Sequence, residues 1–116
     1  MSNIAIFAVE SARRGALEAV ARTQGTLIDG TSDVAALRRL LERRAIDLVL
    51  ADGMSAEDLT ALGQQAARFV ILADDGDAAE LALAGAAAVL PRDASGEIIG
   101  AALALVVEGL RLLPDL

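Results

Sequence analysis

The chain has 116 residues, a net charge of −7 and a composition that is 55% hydrophobic, which suits one domain with a single core. It contains no His, Cys, Lys, Tyr or Trp, so His or Lys general bases, Cys nucleophiles, Schiff bases and Cys/His zinc sites are excluded. The longest apolar-or-glycine runs, 81–90 and 98–107, have ten residues each, about half of the roughly 20 that a membrane-spanning helix needs. We expect a single domain over residues 1–116, outside any membrane.

Charge is unevenly distributed along the chain. Residues 1–44 hold seven Arg and five acids, whereas residues 45–116 hold three Arg and twelve acids. Because binding to nucleic acid requires a basic surface that neutralises phosphates, we expect no direct nucleic-acid binding by this domain. A charge run on a helix is usually its solvent-exposed face. That interpretation also fits the one basic cluster, Arg38, Arg39, Arg43 and Arg44.

Short apolar runs alternate with amphipathic stretches in the first half of the chain. A strand is predicted at residues 4–9, followed by a helix at 12–22. A weaker strand at 26–29 leads to a second helix, whose leucines face inward and whose arginines face outward. The third strand, 48–51, is continuously apolar and ends at Asp52, as expected of a central parallel strand that is buried on both faces.

The same alternation continues to the end of the chain. We predict a helix at 55–66, a strand at 69–72, a short helix ending at Leu83, a strand at 87–90 and a last helix at 96–110. The repeated unit predicts an α/β fold: a doubly wound, flavodoxin-like parallel sheet of five strands with helices on both faces. In such sheets, ligands bind outside the carboxyl ends of the strands.

Several polar residues near those ends have structural explanations. Ser11, Ser55 and Ser95 have no His to activate them and are each placed to cap a helix. The acidic loop 74–77 lacks the ligand spacing of a calcium-binding loop, and Asp75 or Asp77 is placed to cap the next helix. No glycine-rich phosphate motif follows the first strand, which disfavours a dinucleotide-dependent enzyme.

Two stretches resemble the receiver domains of bacterial two-component response regulators. Residues 84–95 read Ala-Gly-Ala-Ala-Ala-Val-Leu-Pro-Arg-Asp-Ala-Ser, which is similar to receivers that precede a LuxR-type DNA-binding helix-turn-helix. Residues 45–52 read Ala-Ile-Asp-Leu-Val-Leu-Ala-Asp and end at the family's phospho-acceptor position. The resemblance implies a sheet of strand order 2-1-3-4-5 and a role in phosphorelay signal transduction and transcription regulation.

The resemblance also assigns the pocket, residue by residue. Asp52 stands at the phospho-acceptor position. The family's cation-binding acidic pair falls on Ala8-Val9 or on Val9-Glu10, so at most Glu10 remains of it. Ala73 replaces the family's Thr or Ser, Val89 its aromatic residue and Arg92 its Lys. Asp52 and Glu10 are therefore the only candidate Mg²⁺ ligands, and no cofactor is expected unless the acceptor site functions. These replacements predict a degenerate pocket, a pseudo-receiver, in which Arg92 pairs with Asp52.

The last helix is unusually apolar, because it has no charged side chain between Glu97 and Glu108. A helix on a sheet normally keeps a polar outer stripe, and an exposed apolar face usually marks a protein interface. We therefore predict a homodimer formed through this helix. The candidate residues lie on two faces, Ile98, Ala102 and Leu105 on one, and Ile99, Leu103, Val106 and Leu110 on the other.

The sequence favours a non-enzymatic, cytoplasmic module that dimerises and binds proteins independently of phosphorylation. A cytoplasmic location agrees with the lack of Cys and of a secretory signal. A sensor kinase or regulatory protein is a candidate partner. Two alternatives stay open: a functional receiver phosphorylated on Asp52 by a histidine kinase with Mg²⁺, and a small flavodoxin-like enzyme or ligand-binding domain that uses the same crevice.

Overall fold

Strands and helices alternate through a computed structural model that describes residues 2–63 and 67–113. Within these residues the strands are β1 (Asn3–Phe7), β2 (Thr26–Thr31), β3 (Leu48–Asp52), β4 (Arg68–Ala73) and β5 (Ala88–Pro91). The helices are α1 (Ser11–Gln24), α2 (Val34–Arg43), α3 (Ala56–Leu62), α4 (Ala78–Leu83) and α5 (Gly96–Val107), and a 3₁₀ turn precedes α4. No helix in the described part of the chain has the length and hydrophobicity to cross a membrane.

The five strands form one parallel sheet in the order β2-β1-β3-β4-β5. β3 is therefore the central strand, and all of its residues are buried, as the continuous apolar run predicts. The α/β class, the parallel pairing and the strand order predicted from the sequence are confirmed. The order reverses between β1 and β3, which is where a doubly wound sheet opens a crevice at its carboxyl edge.

Helices cover the two faces of the sheet with separate cores. On one face, α1 and α5 contribute the buried side chains Leu17, Ala21, Ile99, Leu103 and Val106. On the other face, α2, α3 and α4 contribute buried leucines, among them Leu37, Leu40, Leu59, Leu62 and Leu81. The burial of these two sets of aliphatic side chains supplies the main driving force for the fold.

The structure corrects several predicted boundaries, among them the end of β1, which lies at Phe7 and not at residue 9. α1 begins at Ser11, and Glu10 rather than Ser11 occupies the N-cap position, without a hydrogen bond from its side chain. β2 extends to Thr31, whose hydroxyl donates to the Ile6 carbonyl at 2.9 Å. α5 ends at Val107, short of the predicted residue 110, because Gly109 adopts φ +94° and turns the chain. The predicted end of the third helix at 64–66 lies outside the described residues.

The two other serine caps are confirmed. The Ser55 hydroxyl accepts a hydrogen bond from the Asp58 N–H at 3.1 Å, and the Ser95 hydroxyl accepts one from the Ile98 N–H at 3.2 Å. Asp77 occupies the N-cap position of α4, but its side chain makes no capping hydrogen bond. The two helices that follow β3 and β5 are thus anchored beside the carboxyl edge of the sheet.

Candidate functional site

Asp52 is the last residue of β3, and its side chain is only 7% exposed. Gly53 follows with φ +74°, a conformation that favours glycine, and its N–H donates to the Leu72 carbonyl at 3.0 Å. This turn ends the strand at the carboxyl edge and leaves the carboxylate at the crevice. A buried carboxylate requires hydrogen-bond donors or a counter-charge, so its partners define the site.

Arg92 supplies the main partner, because its guanidinium contacts both oxygens of the Asp52 carboxylate. Nε donates to Oδ1 at 3.3 Å, and Nη2 donates to Oδ2 at 3.0 Å. The hydrogen bond and charge of Asp52, together with the charges of Asp74 and Glu10, hold the pKa of Arg92 above its ordinary value. The guanidinium is half exposed. The pair therefore satisfies a buried anion with a cation that remains in contact with water.

Arg13, in the first turn of α1, is a second cation at the same carboxylate. Its Nε lies 3.7 Å from Asp52 Oδ1, and its Nη2 donates to the Arg92 carbonyl oxygen. The adjacent Arg14 donates from Nη1 to the Ala8 carbonyl at 2.8 Å. Together these arginines tie α1 to Asp52 and to the loops after β1 and β5.

Arg13 was not predicted as a site residue, although the charge pattern in the first turn of α1 indicated an unusual role for it. The first turn of α1 contains Arg13 and Arg14 and no acid, whereas the helix dipole favours acids at that end and disfavours cations. Two cations in an unfavourable position indicate an interaction made elsewhere. The structure shows that interaction as the contacts to Asp52 and to two loop carbonyls.

The donor set around Asp52 does not suit a divalent cation. Mg²⁺ prefers oxygen ligands in near-octahedral geometry, whereas here two guanidinium groups lie against the carboxylate. Glu10 is exposed and lies at the start of α1. Across residues 2–63 and 67–113, no group of three or more acids is placed to hold a metal ion.

The other predicted pocket residues lie on the neighbouring strands. Ala73, the last residue of β4, is buried, and it lines a pocket of about 230 Å³ with Gly53, Asp74 and Arg92. Its methyl group cannot donate a hydrogen bond to a phosphate. Val89 is half-buried in β5, and its N–H donates to the carbonyl of Leu112 in the C-terminal segment.

Four of the seven residues predicted for the dimer interface are buried in the protein's own core. They are Ile99, Ala102, Leu103 and Val106, which recur at helical spacing on the face that covers the sheet. Ala102 therefore belongs to the buried face, and not to the face of Ile98 and Leu105. The exposed candidates are Ile98 at 54% and Leu105 at 41% on α5, and Leu110 at 51% beyond its end.

Neither a protein family model nor a curated protein matches this sequence. Among solved structures, a LuxR family DNA-binding response regulator from Silicibacter pomeroyi aligns with TM-score 0.85 and 19% identity, over 98% of this chain and 97% of that one. A response regulator receiver domain protein from Clostridium thermocellum aligns with TM-score 0.81 and 18% identity, over 94% and 96%.

A third alignment is with a chain in a structure of two RcsB dimers bound to two parallel DNAs. Its TM-score is 0.83 at 12% identity, and it covers 98% of this chain and 64% of that one. The fold is therefore that of an α/β domain with a doubly wound parallel sheet. More specifically, it is the fold of response-regulator receiver domains, as the sequence resemblance predicted.

Proposed function

We propose that this chain is a receiver domain of a bacterial response regulator and acts in signal transduction and transcription regulation. The fold supports this role, since it matches a LuxR family response regulator over nearly the whole length of both chains. Asp52 supports it too, because it lies at the carboxyl end of the central strand, where chemistry is expected in such sheets. The domain is a cytoplasmic interaction module and not an enzyme.

The domain works without phosphorylation of Asp52, and the observation that carries this proposal is the Arg92–Asp52 pair. Phosphoryl transfer to an aspartate requires a carboxylate oxygen free to attack phosphorus. Here both oxygens accept hydrogen bonds from one guanidinium. Such two-point, charge-assisted contacts are among the stronger polar interactions in proteins. Arg13 adds a second positive charge 3.7 Å from the same carboxylate.

Releasing the carboxylate for reaction has an energetic cost. Leaving a buried carboxylate without its hydrogen-bond donor costs about 1–3 kcal/mol of free energy. Because Arg92 is half exposed and water reaches this site, we expect a cost near the lower limit. Mg²⁺ would also have to displace two guanidinium groups with few oxygen ligands to replace them. Even after phosphorylation, Ala73 has no hydroxyl with which to bind the phosphate.

Association with a second copy is the second part of the proposal. Ile98, Leu105 and Leu110 expose large apolar side chains on the α5 side of the molecule, and such surface usually marks an interface. One structural neighbour is described as a dimer, which is consistent with this arrangement. We therefore assign the exposed side of α5 to homodimerisation, and a sensor kinase or regulatory protein remains a candidate partner.

Fluoride NMR in the presence of beryllium fluoride and Mg²⁺ tests the proposal. Beryllium fluoride mimics a phosphoryl group on a carboxylate and gives a bound ¹⁹F signal at an accessible site. We expect no bound signal for the unaltered protein at millimolar Mg²⁺. A bound signal that disappears in Asp52→Asn would show a working acceptor site and contradict the proposal.

A further inference from the structure

An apolar groove lies between α3 and α4, away from α5. It has a volume of about 580 Å³ and is lined by Ala56, Thr60, Leu83 and Ala84. Leu83 is 83% exposed, more than any other large apolar side chain in the described residues. Single exposed leucines are common on protein surfaces, but an exposed leucine at the edge of an apolar groove is typical of a residue that anchors a protein–protein contact.

Two carboxylates line this groove. Glu57 and Glu80 form its walls, and residues 55–84 contain six acids and one arginine. That arginine, Arg68, donates to the carbonyls of Val106 and Val107 at 2.6 and 3.4 Å, at the end of α5. Its charge is therefore directed to the opposite helix layer. The groove is consequently lined by apolar side chains together with two exposed carboxylates.

A complementary surface is present on α2 of the same chain. Arg38, Arg39 and Arg43 are exposed along its outer side, with Glu42 as the one acid of the helix. In residues 2–63 and 67–113, no carboxylate lies within 4.0 Å of these guanidinium groups, since the ion pairs found there involve Arg13 and Arg92. The stems of these arginines can also cover apolar surface while their charged ends reach a carboxylate.

The two surfaces lie on one face of the sheet, at opposite ends. α2 packs over β1 and β2, α3 contacts α4, and α4 packs against β5. A two-fold axis parallel to the strands, placed between two copies that face each other, brings each α2 over the partner's α3–α4 groove. Both contacts then form together, and the assembly closes as a dimer, as two-fold contacts do.

We infer that the face formed by α2, α3 and α4 is a second self-association surface, on which the arginines of α2 contact Glu57 and Glu80 around Leu83 of a second copy. The occupant is this chain itself, because it supplies both halves of the charge match. The surface is independent of Asp52 and lies opposite the α5 side. Charge pairs at an exposed rim contribute mainly to orientation and specificity, whereas Leu83 contributes buried apolar area.

Charge-reversal complementation tests the inference in a background that removes the α5 contact, Ile98→Ser with Leu105→Ser. One variant adds Arg38→Glu and Arg39→Glu, and the other adds Glu57→Arg and Glu80→Arg. Light scattering and sedimentation velocity measure each alone and mixed in equal amounts. Circular dichroism confirms that each variant is folded.

We expect the background protein to dimerise at low ionic strength and to dissociate in roughly 1 M salt, where the screening length is about 3 Å. Each charge variant alone is monomeric, and the mixture regains the dimer because both contacts in the mixed pair are again complementary. Leu83→Ser in the background weakens the dimer about tenfold. A background protein that stays monomeric at low salt, or a mixture that stays monomeric, overturns the inference. If the Ile98→Ser, Leu105→Ser protein is monomeric while the unaltered protein still associates, the second surface is excluded and the proposed interface on α5 is unaffected.

Discussion

Arg92 and Asp52 form a two-point ion pair across the carboxyl edge of the sheet, with Nε–Oδ1 and Nη2–Oδ2 distances of 3.3 and 3.0 Å. The pair joins the end of β3 to the residue after β5, so the guanidinium crosses the end of β4 at Ala73. A buried carboxylate whose oxygens both accept hydrogen bonds from a neighbour leaves no polar atom unsatisfied.

Loss of the Arg92 side chain is expected to destabilise the protein. Arg92→Ala leaves Asp52 with only the longer contact to Arg13 and lowers the free energy of unfolding by about 1–2 kcal/mol. Urea denaturation followed by circular dichroism measures the change. Arg39→Ala is the matched control, since Arg39 is exposed on α2, and it changes stability by less than about 0.5 kcal/mol. Equal effects of the two variants would contradict the structural role of the pair.

Replacement of Arg92 by lysine is expected to make stability depend on alkaline pH. The pKa of Arg92 is raised, so its contribution is present below the ordinary pKa and is lost only above it, beyond the usual experimental range. In Arg92→Lys, the ammonium gains the same partner, so its contribution is present below the ordinary lysine pKa of about 10.4 and is lost as the pH rises above that value.

The amino-acid composition excludes interference from other titrating side chains in this experiment. The natural chain has no Lys, Tyr, Cys or His, so no other side chain titrates between about pH 9 and 11. We expect the midpoint of urea unfolding to stay constant across this interval for the natural protein and to fall for Arg92→Lys. Parallel profiles for the two proteins would contradict the ion-pair account.

Restoration of the family's pocket residues is expected to create Mg²⁺ binding. The triple variant Val9→Asp, Ala73→Thr and Arg92→Lys supplies a second acid beside Glu10, a hydroxyl and a compact ammonium group. Val9 is 69% exposed, so its replacement leaves the core intact. Isothermal titration calorimetry should show Mg²⁺ affinity at least about tenfold above that of the natural chain. Addition of Asp52→Asn should abolish the gain, and a gain that survives this change would place the metal elsewhere.

Substitution on the exposed side of α5 is expected to weaken self-association without loss of stability. Ile98→Ser with Leu105→Ser alters side chains that are about half exposed in the monomer. The unfolding midpoint, measured at a protein concentration where the monomer predominates, should therefore change little. Light scattering over a concentration series in roughly 1 M salt, where the charge pairs of the α2, α3 and α4 face are screened, should show a shift toward monomer. Leu103→Ala is the matched core control, and it should cost about 2–5 kcal/mol. Unchanged association in the double variant would remove α5 from the interface.

Much of the fold could be predicted from the sequence because burial controls the pattern of side chains. β3 is buried on both faces, so its apolar run identified it as central, and the Asp that follows it was placed at the carboxyl edge. Strand order then brings the residues after β3 and β5 to the same edge, which is why Arg92 reaches Asp52.

The details that the sequence left open depend on contacts between distant segments. Arg13 reaches Asp52 only because α1 lies beside the crevice, and helical periodicity alone does not place its side chain there. On α5, nearly every residue is apolar, so the pattern could not decide which face covers the sheet. Ala102 lies on the buried face through its register with Ile99 and Val106.

We propose that Asp52 serves as an ion-pair partner and accepts no phosphoryl group. Intact mass spectrometry after incubation with acetyl phosphate and Mg²⁺ tests this role, with the triple variant of the pocket as the comparison. We expect the natural protein to keep its unmodified mass. A phosphoryl adduct on the natural protein that is absent from Asp52→Asn would contradict the account.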